Sequence, residues 1–134
     1  MTEARTPERK SKILIVDDDK DFLEVARLTL ENAGYEVLTA QSGMNSLEIV
    51  RTSGRPDLVL MDFWMPGMDG IRALKLLEDF VLGNKVPVVF CSAVADRKII
   101  THALMSGARD YLIKPFPPED LLETVATHLG SGSS

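Results

Sequence analysis

The chain has 134 residues, 45% hydrophobic and 26% charged, proportions that suit one globular domain and exclude a wholly disordered or membrane-embedded chain. Net charge is −5, and because residues 1–12 hold four basic and two acidic side chains the rest carries −7, which argues against direct nucleic-acid binding by this domain. The single cysteine, Cys91, rules out an intramolecular disulfide, and no apolar run approaches the roughly 20 residues of a membrane span. With polar rather than signal-like opening residues, these features predict a cytoplasmic protein that does not meet the membrane.

Residues 1–11 are polar and aperiodic and are expected to form a flexible tail; 130–134 (GSGSS) is expected to be a second flexible end. The folded unit is placed at 12–129. Lys12 to Val16 (KILIV) reads as a first strand, followed by a helix over Asp21 to Ala33 with Phe22, Val25, Ala26, Thr29 and Leu30 at helical spacing and Gly34 as its stop. Glu36 to Thr39 reads as a second strand. Ser42 caps a helix running to about Thr52, with Met44, Leu47 and Val50 on its apolar side. Leu58 to Met61 (LVLM) is a third strand, and Met65, Pro66 and Gly67 form a turn before a helix that opens at Asp69 and carries Ile71, Leu74, Leu77 and Phe80.

Val86 to Cys91 (VPVVFC) reads as a fourth strand, with Pro87 near its start and Cys91 as a small core filler. Asp96 opens a fourth helix that Gly107 ends; Asp110 to Ile113 is a fifth strand; Pro118 sits in the first turn of a fifth helix with Leu121, Leu122 and Val125. Nearly continuous apolar strands alternating strictly with helices predict an α/β fold: a flavodoxin-like, doubly wound, five-stranded parallel sheet of order 2-1-3-4-5 with five helices.

Such sheets bind ligands beyond the carboxyl ends of their strands. Strand 1 ends in Asp17, Asp18 and Asp19, strand 3 in Asp62, strand 4 in Ser92 and strand 5 in Lys114 followed by Pro115. The first loop has no glycine-rich phosphate cradle, and its carboxylates would repel a bare phosphate. Oxygen ligands of this kind suit a hard cation such as Mg²⁺. With the ion bound, Asp62 could attack phosphorus, Ser92 could donate to a phosphoryl oxygen, and Lys114 could serve as its compact counterion. Asp19 has a simpler role as a helix cap, and His102 and His128, without ligand company, read as surface or helix-end residues.

ILIVDDD at 13–19, LVLMDFWMPGMDG at 58–70, VVFCSA at 88–93 and DYLIKPF at 110–116 closely resemble the receiver domains of two-component response regulators of the chemotaxis-regulator type. That resemblance implies that Asp62 is the phosphoacceptor, Asp18 the chief acidic metal ligand, Asp17 a helper acting mostly through water, and the Trp64 backbone carbonyl a further ligand of Mg²⁺ or Mn²⁺. It implies that Lys114 pairs with phosphate across a cis bond to Pro115, and that Ser92 and Tyr111 form the switch. It also implies phosphotransfer from a histidine kinase or phosphotransfer protein. The downstream effector, or a second copy in a homodimer, would meet the face built from helix 4, strand 5 and helix 5, with Lys98, Ile100, Arg109 and Glu119 as surface reporters. The chain would thus be a signalling switch that assists its own phosphorylation and dephosphorylation, not a turnover enzyme.

Two positions depart from what the resemblance leads one to expect: Trp64 follows Asp62 by two residues and Val94 follows Ser92 by two, both bulky and apolar. They are expected to lengthen the life of the phosphorylated state. Two alternatives stand beside this reading. The Asp17/Asp19 spacing is also that of a haloacid-dehalogenase-like phosphatase, although no cap domain is available and Asp21 replaces the usual Thr or Val. A phosphate-independent pseudo-receiver, acting only as a binding module, is the other.

Overall fold

In the computed structural model, residues 10–83 and 85–130 are described. Most of the two expected terminal tails, at 1–11 and 130–134, lies outside these residues. Five strands form one sheet: β1 (Lys12–Val16), β2 (Glu36–Ala40), β3 (Leu58–Met61), β4 (Val88–Ser92) and β5 (Asp110–Ile113). All pairings are parallel and the order is β2-β1-β3-β4-β5, the topology expected from the alternation of elements. Between the strands run α1 (Lys20–Asn32), α2 (Gly43–Ser53), α3 (Gly70–Leu77), α4 (Arg97–Met105) and, after β5, α5 (Pro118–Gly130). None of the described helices is long and apolar enough to cross a membrane.

The two-residue period of each strand divides the core. Ile13 and Ile15, Leu58 and Leu60, and Val89 and Cys91 point to the face where Leu23, Ala26 and Leu30 of α1 meet Leu121 and Val125 of α5. Leu14 and Val16, Val59 and Met61, and Val88 and Phe90 point to the opposite face, against Leu47 and Val50 of α2, Ala73, Leu74 and Leu77 of α3 and Ala103 of α4. Every residue of β3 is fully buried, because a central parallel strand is covered on both sides.

The helix starts follow their capping residues. Asp19, Ser42, Asp69 and Asp96 each accept backbone N–H groups from the first turn of the helix they open. Gly34 and Gly107, past the ends of α1 and α4, hold φ of 100° and 121°, left-handed values that favour glycine.

Several expectations shift. Val25, Met44 and Phe80, read as core-facing, are 62%, 61% and 67% exposed. In α1, Ala26 and Leu30 are buried as expected, but Leu23 completes the stripe where Val25 was expected, and Phe22 and Thr29 are half-buried. Phe80 turns outward because α3 runs into a π-helical turn, Glu78–Leu82, whose wider spacing brings Leu82 into the core instead. The fourth strand begins at Val88, since Pro87 has no N–H to give the ladder, and it extends to Ser92. The Met65–Gly67 turn joins two short antiparallel arms, Trp64–Met65 and Met68–Asp69, that sequence periodicity did not reveal.

Candidate functional site

Backbone bonds carry the sheet's ladder one residue past the strands and fix the site from below. The Asp17 amide donates to the Ala40 carbonyl at 3.0 Å, the Asp62 amide to Val16 at 2.9 Å and the Lys114 amide to Ser92 at 2.8 Å. Thus β1, β3 and β5 each deliver one charged side chain to the same sheet edge, and β4 delivers the Ser92 hydroxyl.

Asp17, Asp18 and Asp62 each offer a carboxylate oxygen, and these oxygens lie within 4.8 Å of one another. Asp17 is 1% exposed, Asp62 half-buried and Asp18 exposed. Burial pushes the Asp17 carboxyl above its ordinary pKa, and the nearby Asp62 charge adds to this; bonds from Lys114 and from the Asp19 amide act in the opposite direction. Lys114 Nζ reaches Asp17 Oδ2 at 2.6 Å and stands 3.9 Å from the centre of the Phe22 ring. A close group of hard oxygen donors with one buried member fits a small divalent cation, which would neutralise the repulsion the three carboxylates otherwise share.

The flanking residues form a second tier. Asp62 Oδ1 accepts a long bond, 3.4 Å, from the Trp64 amide. Ser92 is buried and its Oγ accepts from the Val94 amide at 3.2 Å, while the Tyr111 hydroxyl donates to the Val94 carbonyl at 2.7 Å. Ser92 and Tyr111 are thereby tied to the same residue. Burial raises the Tyr111 phenol above its ordinary value, partly offset by the Ser92 hydroxyl beside it. The Lys114–Pro115 peptide is cis, as the resemblance implies.

Asp19 is spent as the cap of α1, its Oδ1 accepting the Asp21 and Phe22 amides at 3.0 and 3.1 Å, which counts against the second catalytic acid that a phosphatase of the haloacid-dehalogenase kind needs. His128 lies away from the acidic edge and meets Asp110 at 3.1 Å. Cys91 is buried, and burial pushes its thiol up to about 12, in keeping with a core filler. Sequence reasoning missed Phe22 as a neighbour of Lys114: its helical spacing pointed to the core, whereas its place three residues after the Asp19 cap is what brings it to the acidic edge.

The response regulator receiver domain family matches residues 13–126. The chain belongs to that family. Among curated relatives, this receiver domain is 37% identical over 120 residues to the DNA-binding response regulator MtrA of Mycobacterium tuberculosis, covering 90% of this chain and 51% of the relative. It thus spans about half the length of the curated relatives it matches. Among solved structures, the chemotaxis protein CheY4 of Vibrio cholerae is 30% identical with a TM-score of 0.84, covering 90% of this chain and all of that one. A two-component response regulator from Clostridium difficile is 29% identical with a TM-score of 0.86, covering 93% and 100%. The fold and the two-component signalling family of this receiver domain therefore agree with the resemblance carried by its motifs.

Proposed function

We propose that the chain is a phosphorylation switch in which the Asp62 carboxylate accepts a phosphoryl group. The observation that carries this reading is the convergence of Asp17, Asp18, Asp62 and Lys114 on one sheet edge of a receiver-family chain. Asp17, Asp18 and Asp62, with the Trp64 carbonyl, are the proposed ligands of Mg²⁺ or Mn²⁺. When bound, such an ion supplies positive charge that offsets charge gathering on the transferring group. An Asp62 oxygen attacks phosphorus, forming an acyl phosphate, while the bond from phosphorus to the donor's histidine nitrogen breaks and its electron pair leaves with the nitrogen. Lys114 binds the phosphoryl oxygens as a counterion, and Ser92 donates its hydroxyl to one of them.

The donor is a histidine kinase, a phosphotransfer protein or a small phosphodonor. The chain's own residues assist both arrival and loss of the phosphate, so it acts as a switch and not as a turnover enzyme. Ser92 turning toward the phosphoryl group would give up the Val94 amide, and Tyr111, bonded to the same residue, would follow. This biases a two-state face made by α4, β5 and α5, including Lys98, Ile100, Arg109 and Glu119, toward an effector or a second copy of the chain. The proposed domain spans 12–129 of a cytoplasmic protein. MtrA is named as DNA-binding; here the net −7 beyond residue 12 supports an input role for this domain, with any nucleic-acid contact made elsewhere.

The test is labelling with acetyl phosphate and Mg²⁺, read by phosphate-affinity electrophoresis. The expected modification is absent in Asp62→Asn and weakened but still present in Asp17→Asn, which loses one metal ligand and keeps the acceptor. Modification kept in Asp62→Asn and abolished in Asp17→Asn would restore the phosphatase reading, and no modification of the parent chain would favour a phosphate-independent binding module. Trp64 and Val94 are proposed to restrict in-line water and to offer no group that orients it. The phosphorylated state should accordingly outlast removal of the donor, and loss within seconds would contradict that role.

A further inference from the structure

Lys114 is held from two sides. Its ammonium is 2.6 Å from the buried Asp17 carboxylate and 3.9 Å from the Phe22 ring centre, and its side chain is 18% exposed. Phe22 is itself braced edge-on by Phe116, centroids 6.1 Å apart at 85°. Phe116 follows Lys114 by two residues, so the loop leading to α5 supplies both the ammonium and the ring that steadies its platform. A cation over an aromatic face is attracted by the ring quadrupole, more strongly where water is scarce.

Asp17 also belongs to the acidic trio. A divalent cation there and an ammonium on the same carboxylate compete for one anion and repel each other. Anything that keeps the lysine on Asp17 opposes uptake of the metal.

We propose that Phe22 is a positioning residue for Lys114: its ring face holds the ammonium on Asp17 in the metal-free chain and so sets how tightly the acidic site takes a divalent cation. This rests on the receiver reading given above. Off the ring, the lysine's four-carbon stem lets the ammonium turn toward a phosphoryl group on Asp62. The platform is therefore a brake on the resting state. A contact of this strength shifts an equilibrium by about two- to tenfold.

The experiment titrates Mg²⁺ into the full chain, followed by fluorescence of Trp64, the only tryptophan. Phe22→Leu, which keeps bulk and loses the ring, should tighten Mg²⁺ by about two- to tenfold. Phe22→Tyr, which keeps the ring face, should match the parent. Placed in a Lys114→Gln chain, Phe22→Leu should change nothing further. A second readout needs no substitution: by NMR, the Lys114 Cε protons, next to the ammonium that sits over the ring, should resonate upfield in the metal-free chain and move to the ordinary lysine position as Mg²⁺ is added. A Phe22→Leu effect that persists without Lys114, equal effects of Leu and Tyr, or an ordinary Lys114 resonance before metal is added would each overturn the proposal. Mg²⁺ binding that ignores Phe22→Leu would overturn it alone, whereas a parent chain that takes up no Mg²⁺ would also overturn the metal-binding reading beneath it.

Discussion

On one face of the sheet, rings run in a chain: Trp64 to Phe63 at 5.3 Å, Phe63 to Phe90 at 5.6 Å and Phe90 to Tyr111 at 6.0 Å. On the other, Phe22 and Phe116 meet beside Lys114. The first group joins the loop after Asp62 to β5 through two buried rings, and it ends in a hydroxyl bonded to the Val94 carbonyl. The second is half-buried and ends on a cation. The same residue type thus does different work on the two faces: packing and linkage under α3 and α4, charge placement beside α1 and α5.

The largest test of that contrast is Phe90→Ala. Phe90 is fully buried at the centre of the chain of rings, and its truncation should cost about 3–5 kcal/mol in denaturant unfolding, well above Phe116→Ala at a half-buried site. Equal costs would break the contrast. Gly70→Ala comes next. A Cβ there would stand 2.5 Å from the Phe90 ring and 2.9 Å from the Phe63 backbone, so α3 could start against these rings only after a shift, at about 1–3 kcal/mol.

Tyr111→Phe has the smallest expected effect, about 0.5–1.5 kcal/mol for the lost bond to the Val94 carbonyl. It also sharpens the pH behaviour. The Tyr111 phenol is raised above its ordinary 10.0, so folding favours its neutral form. The stability this contributes is fully present below that ordinary value and is lost as pH rises through the higher folded value. Alkaline unfolding curves of parent and Tyr111→Phe should therefore converge as pH rises; curves that stay parallel would place the raised phenol elsewhere.

Much of this was legible in the sequence because single residues decide it. Four short polar caps, apolar strands with period two and the glycines after α1 and α4 are local signals that the tertiary structure did not overrule. The acidic edge was legible for a topological reason: in this sheet order the residues following β1 and β3 must be neighbours, as the Asp62 amide bond to Val16 records. What stayed hidden depends on rotation about helix axes. Val25 and Met44 lie at acceptable spacing with buried neighbours, and only the sheet's position determines which edge of each apolar arc is covered. Phe80 was misplaced by a π-helical turn that no residue in Glu78–Leu82 announces. The Phe22–Lys114 contact spans 92 residues of chain and arises from packing of α1 beside the loop before α5, which periodicity alone does not register.

The three amides of Asp17, Asp62 and Lys114, each bonded to the last carbonyl of an adjacent strand, carry a further consequence. They extend the sheet's hydrogen-bonded ladder into the acidic edge, so their exchange with solvent deuterium should follow opening of the sheet and not local fraying. On the proposed phosphoacceptor reading, an incoming phosphoryl group would meet a floor already ordered, with little conformational entropy left to be lost beneath it. If the proposed switch operates, its movement would fall to side-chain rotations above that floor and to the loops leading into α4 and α5, and the signal would take only the directions those loops allow.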